Sequence, residues 1–175
     1  MNILQNQKPD LVLFTGDLVN NHAHEIEPYL SIFNKIKAPY GKFSVMGNHD
    51  YGAYVRWDTK EQEKDNIKKI RDHHRSMGFD LLENENRLIE KDGKSIRLLG
   101  VENWGNPPFP QYGDLDQAII NTQDDEFTIL MSHDPDHWEE KTLKHNKKIH
   151  LTLAGHTHGS QFGIEIPGFK WSPVQ

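Results

Sequence analysis

Short continuous apolar runs alternate along the chain with stretches whose apolar residues fall three or four apart, the pattern of strands alternating with helices. Leu11-Val12-Leu13-Phe14 predicts a strand buried on both faces, and it ends in Thr15-Gly16-Asp17. Phe43-Ser44-Val45-Met46 ends in Gly47-Asn48-His49-Asp50, and Phe127-Thr128-Ile129-Leu130-Met131 ends in Ser132-His133. Ile149-His150-Leu151-Thr152-Leu153-Ala154 ends in Gly155-His156-Thr157-His158-Gly159. Each predicted strand therefore runs into a polar tip.

Ile26, Leu30, Phe33 and Ile36 predict one helix. Ile67, Ile70, His74 and Met77 predict another, closed by Gly78, whose missing Cβ suits a helix end. From Arg87 to Val101 two strand-like runs flank Lys91-Asp92-Gly93-Lys94, where Asp-Gly supplies the positive φ angles of a tight hairpin. Asn106-Pro107-Pro108-Phe109-Pro110 reads as a loop. Met1 to Pro9 reads as the polar tail of a helix leading into the first strand, without the features of a signal peptide. The segment from Ile164 to Trp171 carries large apolar side chains that a complete domain would cover. The expectation is one partial domain over 1–175, incomplete at both ends and without an internal boundary.

Composition narrows the function classes. At 175 residues, 26% charged and 35% apolar, with no stretch near the roughly 18 to 20 apolar residues of a membrane span, the chain reads as a soluble globular domain. Twenty Lys and Arg against 26 Asp and Glu give a net charge of -6 without a basic run, so nucleic acid is not the default partner. The absence of cysteine excludes disulfides, thiolate zinc sites and thiol nucleophiles. Eleven histidines then direct attention to nitrogen and oxygen ligands.

In open α/β sheets ligands bind at the carboxyl ends of the strands, where these tips converge. They bring together Asp17, Asn48, His49, His133, His156 and His158, a donor set suited to Mn, Fe, Zn or Mg. Gly16, Gly47, Gly155 and Gly159 allow the sharp turns that aim these neighbours inward. Any one of these features alone is an ordinary turn or a hydrogen-bonded histidine. Their repetition after successive apolar strands is what predicts a metal site.

Gly16-Asp17, Gly47-Asn48-His49-Asp50, His133 and Gly155-His156-Thr157-His158 together resemble the calcineurin-like metallophosphoesterases, a likeness running from Asp10 to about Phe169. The segments Lys8 to Val19 and Gly155 to Gln161 look like a bacterial, often membrane-attached subgroup with relatives acting on lipid-linked diphosphates. The resemblance implies an α/β metallo-dependent phosphatase fold, a layered α-β-β-α sandwich with mixed sheets. It also implies two divalent metal ions, with Asp17 bridging them, Asn48, His133 and His156 completing one shell and His158 serving the other. A metal-bridging hydroxide would then attack a phosphodiester, phosphomonoester or diphosphate bond, with His49 assisting the leaving group. The bland alternative for His49 is an imidazole that only supports its neighbours. Phosphoprotein substrates are disfavoured, because Gly16-Asp17 leads to Leu18-Val19-Asn20-Asn21 rather than to the Asp and Arg of that branch.

One departure stands out. The family's first motif, Asp-x-His after the first strand, has no counterpart before Leu11, and Asp72-His73-His74 falls in a helical pattern instead. The expectation is one well-formed and one under-occupied metal site, with weak activity; the alternative is an inert scaffold of the same fold. The partner expected is a phosphate ester or diphosphate, lipid-linked among the options, for a domain that is cytoplasmic or membrane-associated. His22 and His24 read as a solvated turn or as substrate contacts, His137 and His145 as surface, and His150 as a satisfied packing residue. Trp104, Phe109 and Tyr112 read as loop anchors or as an apolar wall for a lipid or nucleoside.

Overall fold

A computed structural model describes residues 2–158 and 164–171. Gly159 lies outside the described residues. The short helix α1 (Asn2–Asn6) precedes strand β1 (Val12–Phe14), helix α2 (Leu30–Asn34), strand β2 (Lys42–Ser44), the long helix α3 (Lys60–Ser76) and strand β3 (Asp80–Leu81). Strands β4 (Glu85–Lys91) and β5 (Lys94–Gly100) follow, then helix α4 (Leu115–Ala118), β6 (Thr128–Met131) and β7 (Leu151–Leu153), with a hairpin of β8 (Ile164–Ile166) and β9 (Phe169–Trp171) last.

β1, β2 and β3 form a parallel sheet in that order. The second sheet runs β4-β5-β6-β7, antiparallel between β4 and β5 and parallel thereafter. Between the sheets lie Phe43, Val45 and Leu82 from one side and Leu98 and Met131 from the other. The approach is close at Gly100, where an added Cβ would stand 2.4 Å from the Leu82 Cβ. On the outer face of the first sheet, Met46 and Phe79 pack with Ile70 of α3 and with Met77 at its C-terminal end. The outer face of the second buries Leu99, Val101 and Leu130 against Leu115 and Ala118 of α4. The result is the expected four-layer α-β-β-α sandwich, with one sheet parallel among the described strands and the other mixed. Removing the Leu98 side chain, fully buried between the layers, would cost about 2–5 kcal/mol.

Helix α3 forms where its periodicity places it. Thr59 accepts the Gln62 N–H at 3.2 Å to cap the first turn, Ile70 and His74 face inward, and Gly78 leaves at a φ of 80°. Asp92 and Gly93, at φ 50° and 71°, turn the β4–β5 hairpin as their residue types predict.

Three expectations need correcting. The stretch 26–36 is not one helix: two 3-10 turns, Ala23–Glu25 and Glu27–Tyr29, precede α2, because Pro28 has no N–H to donate to a continuing helix. β1 is only partly buried, since among the described strands it is an edge of its sheet. His150, ahead of the edge strand β7, is exposed rather than packed inside. Its Nδ1 nevertheless accepts the Thr128 N–H at 3.0 Å, and its ring stacks on Phe127 at 4.6 Å.

Ile164, Ile166, Phe169 and Trp171 are between 51% and 57% exposed. No helix among the described residues is long and apolar enough to cross a membrane.

Candidate metal centre

The tips of β1 and β2 are tied together before they meet the second sheet. Gly16 at φ 100° and Asp17 at φ 58° turn the chain sharply out of β1. After β2, residues Asn48–Tyr51 form a 3-10 turn that Gly52 ends at a φ of 64°. The buried Asp50 carboxylate joins the two tips, accepting N–H groups from Asp17 at 2.9 Å, Leu18 at 2.8 Å, Val19 at 3.2 Å and Gly47 at 2.8 Å. Burial pushes the Asp50 carboxyl up to about 7, with the Gly47 N–H opposing and the Asp17 charge adding to the rise.

On the other side, the ladder beyond β6 continues through the Ser132 N–H to Leu153 O at 3.0 Å and the Gly155 N–H to His133 O at 2.9 Å. This sets His133 and His156 side by side. His156 and His158 both adopt left-handed backbone, at φ 67° and 57°.

Four donors converge. Asn48 Oδ1 lies 3.0 Å from His133 Nε2 and 2.9 Å from His156 Nδ1, and the two nitrogens are 3.3 Å apart. Asp17 Oδ2 lies 3.1 Å from His133 Nε2. One ligand atom each from Asp17, His133 and His156 falls within 4.8 Å of the others. Bonds of about 2.0–2.2 Å to a common cation would set neighbouring ligand atoms about 3.0–3.5 Å apart, so these spacings fit the edges of a coordination shell.

The hydrogen bonding behind the donors supports the same reading. His133 Nδ1 is 2.7 Å from Thr15 O; a carbonyl only accepts, so Nδ1 carries a proton, and Nε2, turned toward Asn48 Oδ1 and Asp17 Oδ2, is the nitrogen free to exchange its proton for a cation. The Asn48 amide donates from Nδ2 to the Tyr54 hydroxyl at 2.6 Å, which turns Oδ1 inward. Asn48 Oδ1, Asp17 Oδ2 and the inward nitrogens of His133 and His156 thus face one another in a largely buried place, an arrangement that either a proton on His133 Nε2 or a bound cation stabilises. Burial favours neutral forms of both Asp17 and His133, yet their mutual attraction wins. Asp17 is held below the usual carboxylate range and His133 above the usual imidazole range. His156 is lowered, chiefly by burial, although Asp134 pulls the other way.

Of the residues anticipated for the site, Asp17, Asn48, His133 and His156 come together. His49 stands beside them, its backbone N–H donating to Asp17 Oδ1 at 3.1 Å and its Nδ1 2.7 Å from Asn20 O. His158 is exposed and lies outside the group formed by Asp17, His133 and His156. Gly16 and Gly47 are required by closeness: a Cβ on Gly47 would stand 2.3 Å from Asp17 Oδ1, and one on Gly16 2.7 Å from His133 Nδ1.

Other expectations sort as follows. His137 is fully buried, not on the surface; the chain coils into a π-helical turn over Trp138–Thr142 and leaves His137 edge-on to the buried Trp104 at 6.1 Å. Burial, and then Lys141, push His137 down to about 4. His145 is half-buried and pairs with Asp116 at 3.0 Å. His22 stacks on His24 at 5.3 Å and meets the edge of Trp57 at 5.1 Å. Phe109 sets its edge against His156 at 4.8 Å, whereas Tyr112 packs on Tyr51 at 4.7 Å.

The model of the calcineurin-like phosphoesterase family matches residues 1–160. The chain belongs to the calcineurin-like phosphoesterase family. Among its relatives is the metallophosphoesterase YkuE of Bacillus subtilis, 29% identical over 170 residues that make up 94% of this chain and 51% of YkuE. A metallophosphoesterase of Helicobacter pylori strain J99 is 30% identical over 158 residues, 89% of this chain and 38% of the relative. Phosphodiesterase YaeI of Escherichia coli K12 is 26% identical over 177 residues, 97% of this chain and 56% of YaeI. The chain thus spans about half the length of these calcineurin-like relatives, or less.

Asp50, Asp134 and Tyr54 were missed as site residues. Asp50 stands inside the Gly47-Asn48-His49-Asp50 signature and Asp134 directly follows His133, so adjacency to ligands was the available signal.

Proposed function

We propose that this domain hydrolyses phosphate esters or diphosphates with divalent metal, which Asp17, Asn48, His133 and His156 would hold, with His158 available to serve a second ion. The observation that carries this is the convergence of Asn48 Oδ1, His133 Nε2 and His156 Nδ1 within 2.9–3.3 Å of one another, with Asp17 Oδ2 3.1 Å from His133. When bound, divalent cations supply Lewis-acid charge for phosphoryl oxygens and acidify water for attack. The chain's own part is orientation and proton transfer. With Nδ1 held as a donor by Asn20 O, His49 can give a proton from Nε2 to the departing oxygen only as the doubly protonated imidazolium, and the step leaves it neutral; the Tyr54 ring at 4.7 Å steadies the imidazole. The similarity to YaeI, a phosphodiesterase by name, favours diesters among the substrates. Lipid-linked diphosphates are the further class this reading includes.

A bis-nitrophenyl phosphodiester, assayed with Mn added and then chelated, tests the proposal. Hydrolysis that depends on Mn and stops on chelation is the expected result; chelator-resistant hydrolysis would overturn it. A second reading, a metal-binding scaffold without turnover, draws on the exposed position of His158 outside the donor group. It predicts Mn binding with no release of nitrophenol.

A further inference from the structure

Asp134 is 2% exposed. Its Oδ1 accepts the Asp136 N–H at 2.9 Å, whereas its Oδ2 has no hydrogen-bond partner among the described residues. A buried carboxylate oxygen left in that state costs on the order of 1–3 kcal/mol or more, so its surroundings need a physical account. The group facing it is His156, whose Nε2 lies 3.6 Å away.

We infer that Asp134 is a positioning residue that holds His156 as the tautomer protonated at Nε2, so that the Nδ1 lone pair faces the metal position. This rests on the metal-centre reading above. At 3.6 Å the pair is longer than a hydrogen bond. Even so, in a site this dry the carboxylate charge strongly favours a proton on the nitrogen nearest to it. A neutral imidazole carries one proton, so the opposite nitrogen keeps its lone pair. That opposite nitrogen, Nδ1, is the one 2.9 Å from Asn48 Oδ1 and 3.3 Å from His133 Nε2.

Packing holds the pair together. A Cβ on Gly105 would stand 2.1 Å from Asp134 Oδ2, so a glycine there lets the loop close over the carboxylate. Phe109 of the same loop meets the His156 ring at 88°, limiting its rotation. The two ligand imidazoles are thus backed differently: a carbonyl, Thr15 O, stands behind His133, and a carboxylate stands behind His156.

Two measurements test this. In metal-free wild-type protein labelled with 15N-histidine, His156 is identified by the loss of its signals in His156→Gln. It should show a protonated Nε2 and an unprotonated Nδ1; the reverse pattern overturns the inference, and this readout needs no substitution at Asp134. The Asp134→Asn variant preserves volume while placing an amide where the carboxylate stood. Calorimetry should show Mn binding about 10–100-fold weaker than wild type, with the His156 signals moved to the other tautomer and no fall in the melting midpoint of the metal-free protein. An unchanged Mn affinity overturns the inference. Wild-type protein that binds no Mn defeats the metal-centre reading instead, and the tautomer spectrum still decides the role of Asp134.

Discussion

The Asp50 carboxylate accepts the backbone N–H of Asp17 at 2.9 Å, across 33 positions of sequence. Three further N–H groups, from Leu18, Val19 and Gly47, share the same two oxygens. Asp50→Ala would strand all four in a buried place, and Asp50→Asn would set an amide NH2 against donors. We expect Asp50→Ala to lose about 3 kcal/mol or more in urea unfolding and to bind Mn more weakly, because the Asp17 tip would no longer be fixed against the Asn48 tip. Unfolding within 0.5 kcal/mol of wild type, on the order of an ordinary surface substitution, would show that these N–H groups find other partners.

Gly47→Ala tests the close approach at the centre. The new methyl would fall 2.3 Å from Asp17 Oδ1 and 2.7 Å from His133 Cε1, so at least one ligand must move. Mn affinity should fall at least about tenfold, since ligand placement tolerates only a few tenths of an ångström. Wild-type affinity by calorimetry would mean that the site is far more pliable than its packing indicates.

His49→Ala separates chemistry from metal binding. His49 donates its backbone N–H to Asp17, a contact that alanine retains. Turnover of the phosphodiester should drop by about 10²–10⁴-fold, with Mn affinity within about twofold of wild type. A variant retaining full turnover would remove His49 from the proton path.

Acid should weaken the fold through His74. The residue is fully buried, and neither ring nitrogen has a hydrogen-bond partner among the described residues. Burial, then the charges of His73 and Arg75, push it down to about 4. The unfolded chain therefore takes up a proton before the folded one does. Stability is intact above an ordinary histidine value of about 6.5 and is lost as pH falls toward 4, by about 2 kcal/mol between pH 8 and pH 5. His74→Met should remove that share of the acid sensitivity in urea titrations at the two pH values. An identical pH dependence would assign the loss to other groups, the similarly buried His137 first among them.

The strand tips were legible because an apolar run followed by glycine and a polar residue is a local signal, and α3 was legible because Ile67, Ile70, His74 and Met77 repeat with the helical period. The break at Pro28 was present in the sequence but outvoted by the spacing of Ile26, Leu30, Phe33 and Ile36 around it. The burial of His137 was hidden, since it follows from the fit of a π-helical turn against Trp104, two segments 33 positions apart. The roles of Asp50 and Asp134 were hidden for a related reason. A carboxylate that binds distant backbone N–H groups, or stands behind a distant imidazole, leaves no periodic trace in its own neighbourhood.

Asp17 and Asn48 follow strands of the three-stranded sheet, whereas His133 and His156 follow strands of the four-stranded one. A cation gripped by all four would therefore cross-link the two halves of the molecule, joining Asn48 to a residue 108 positions further along the chain. Loading the centre would stitch the sandwich shut along its open rim. Amide protons of β1 and β7, each an outer strand of its sheet among the described residues, would then exchange more slowly in concert, although neither strand contributes a ligand from within its own length.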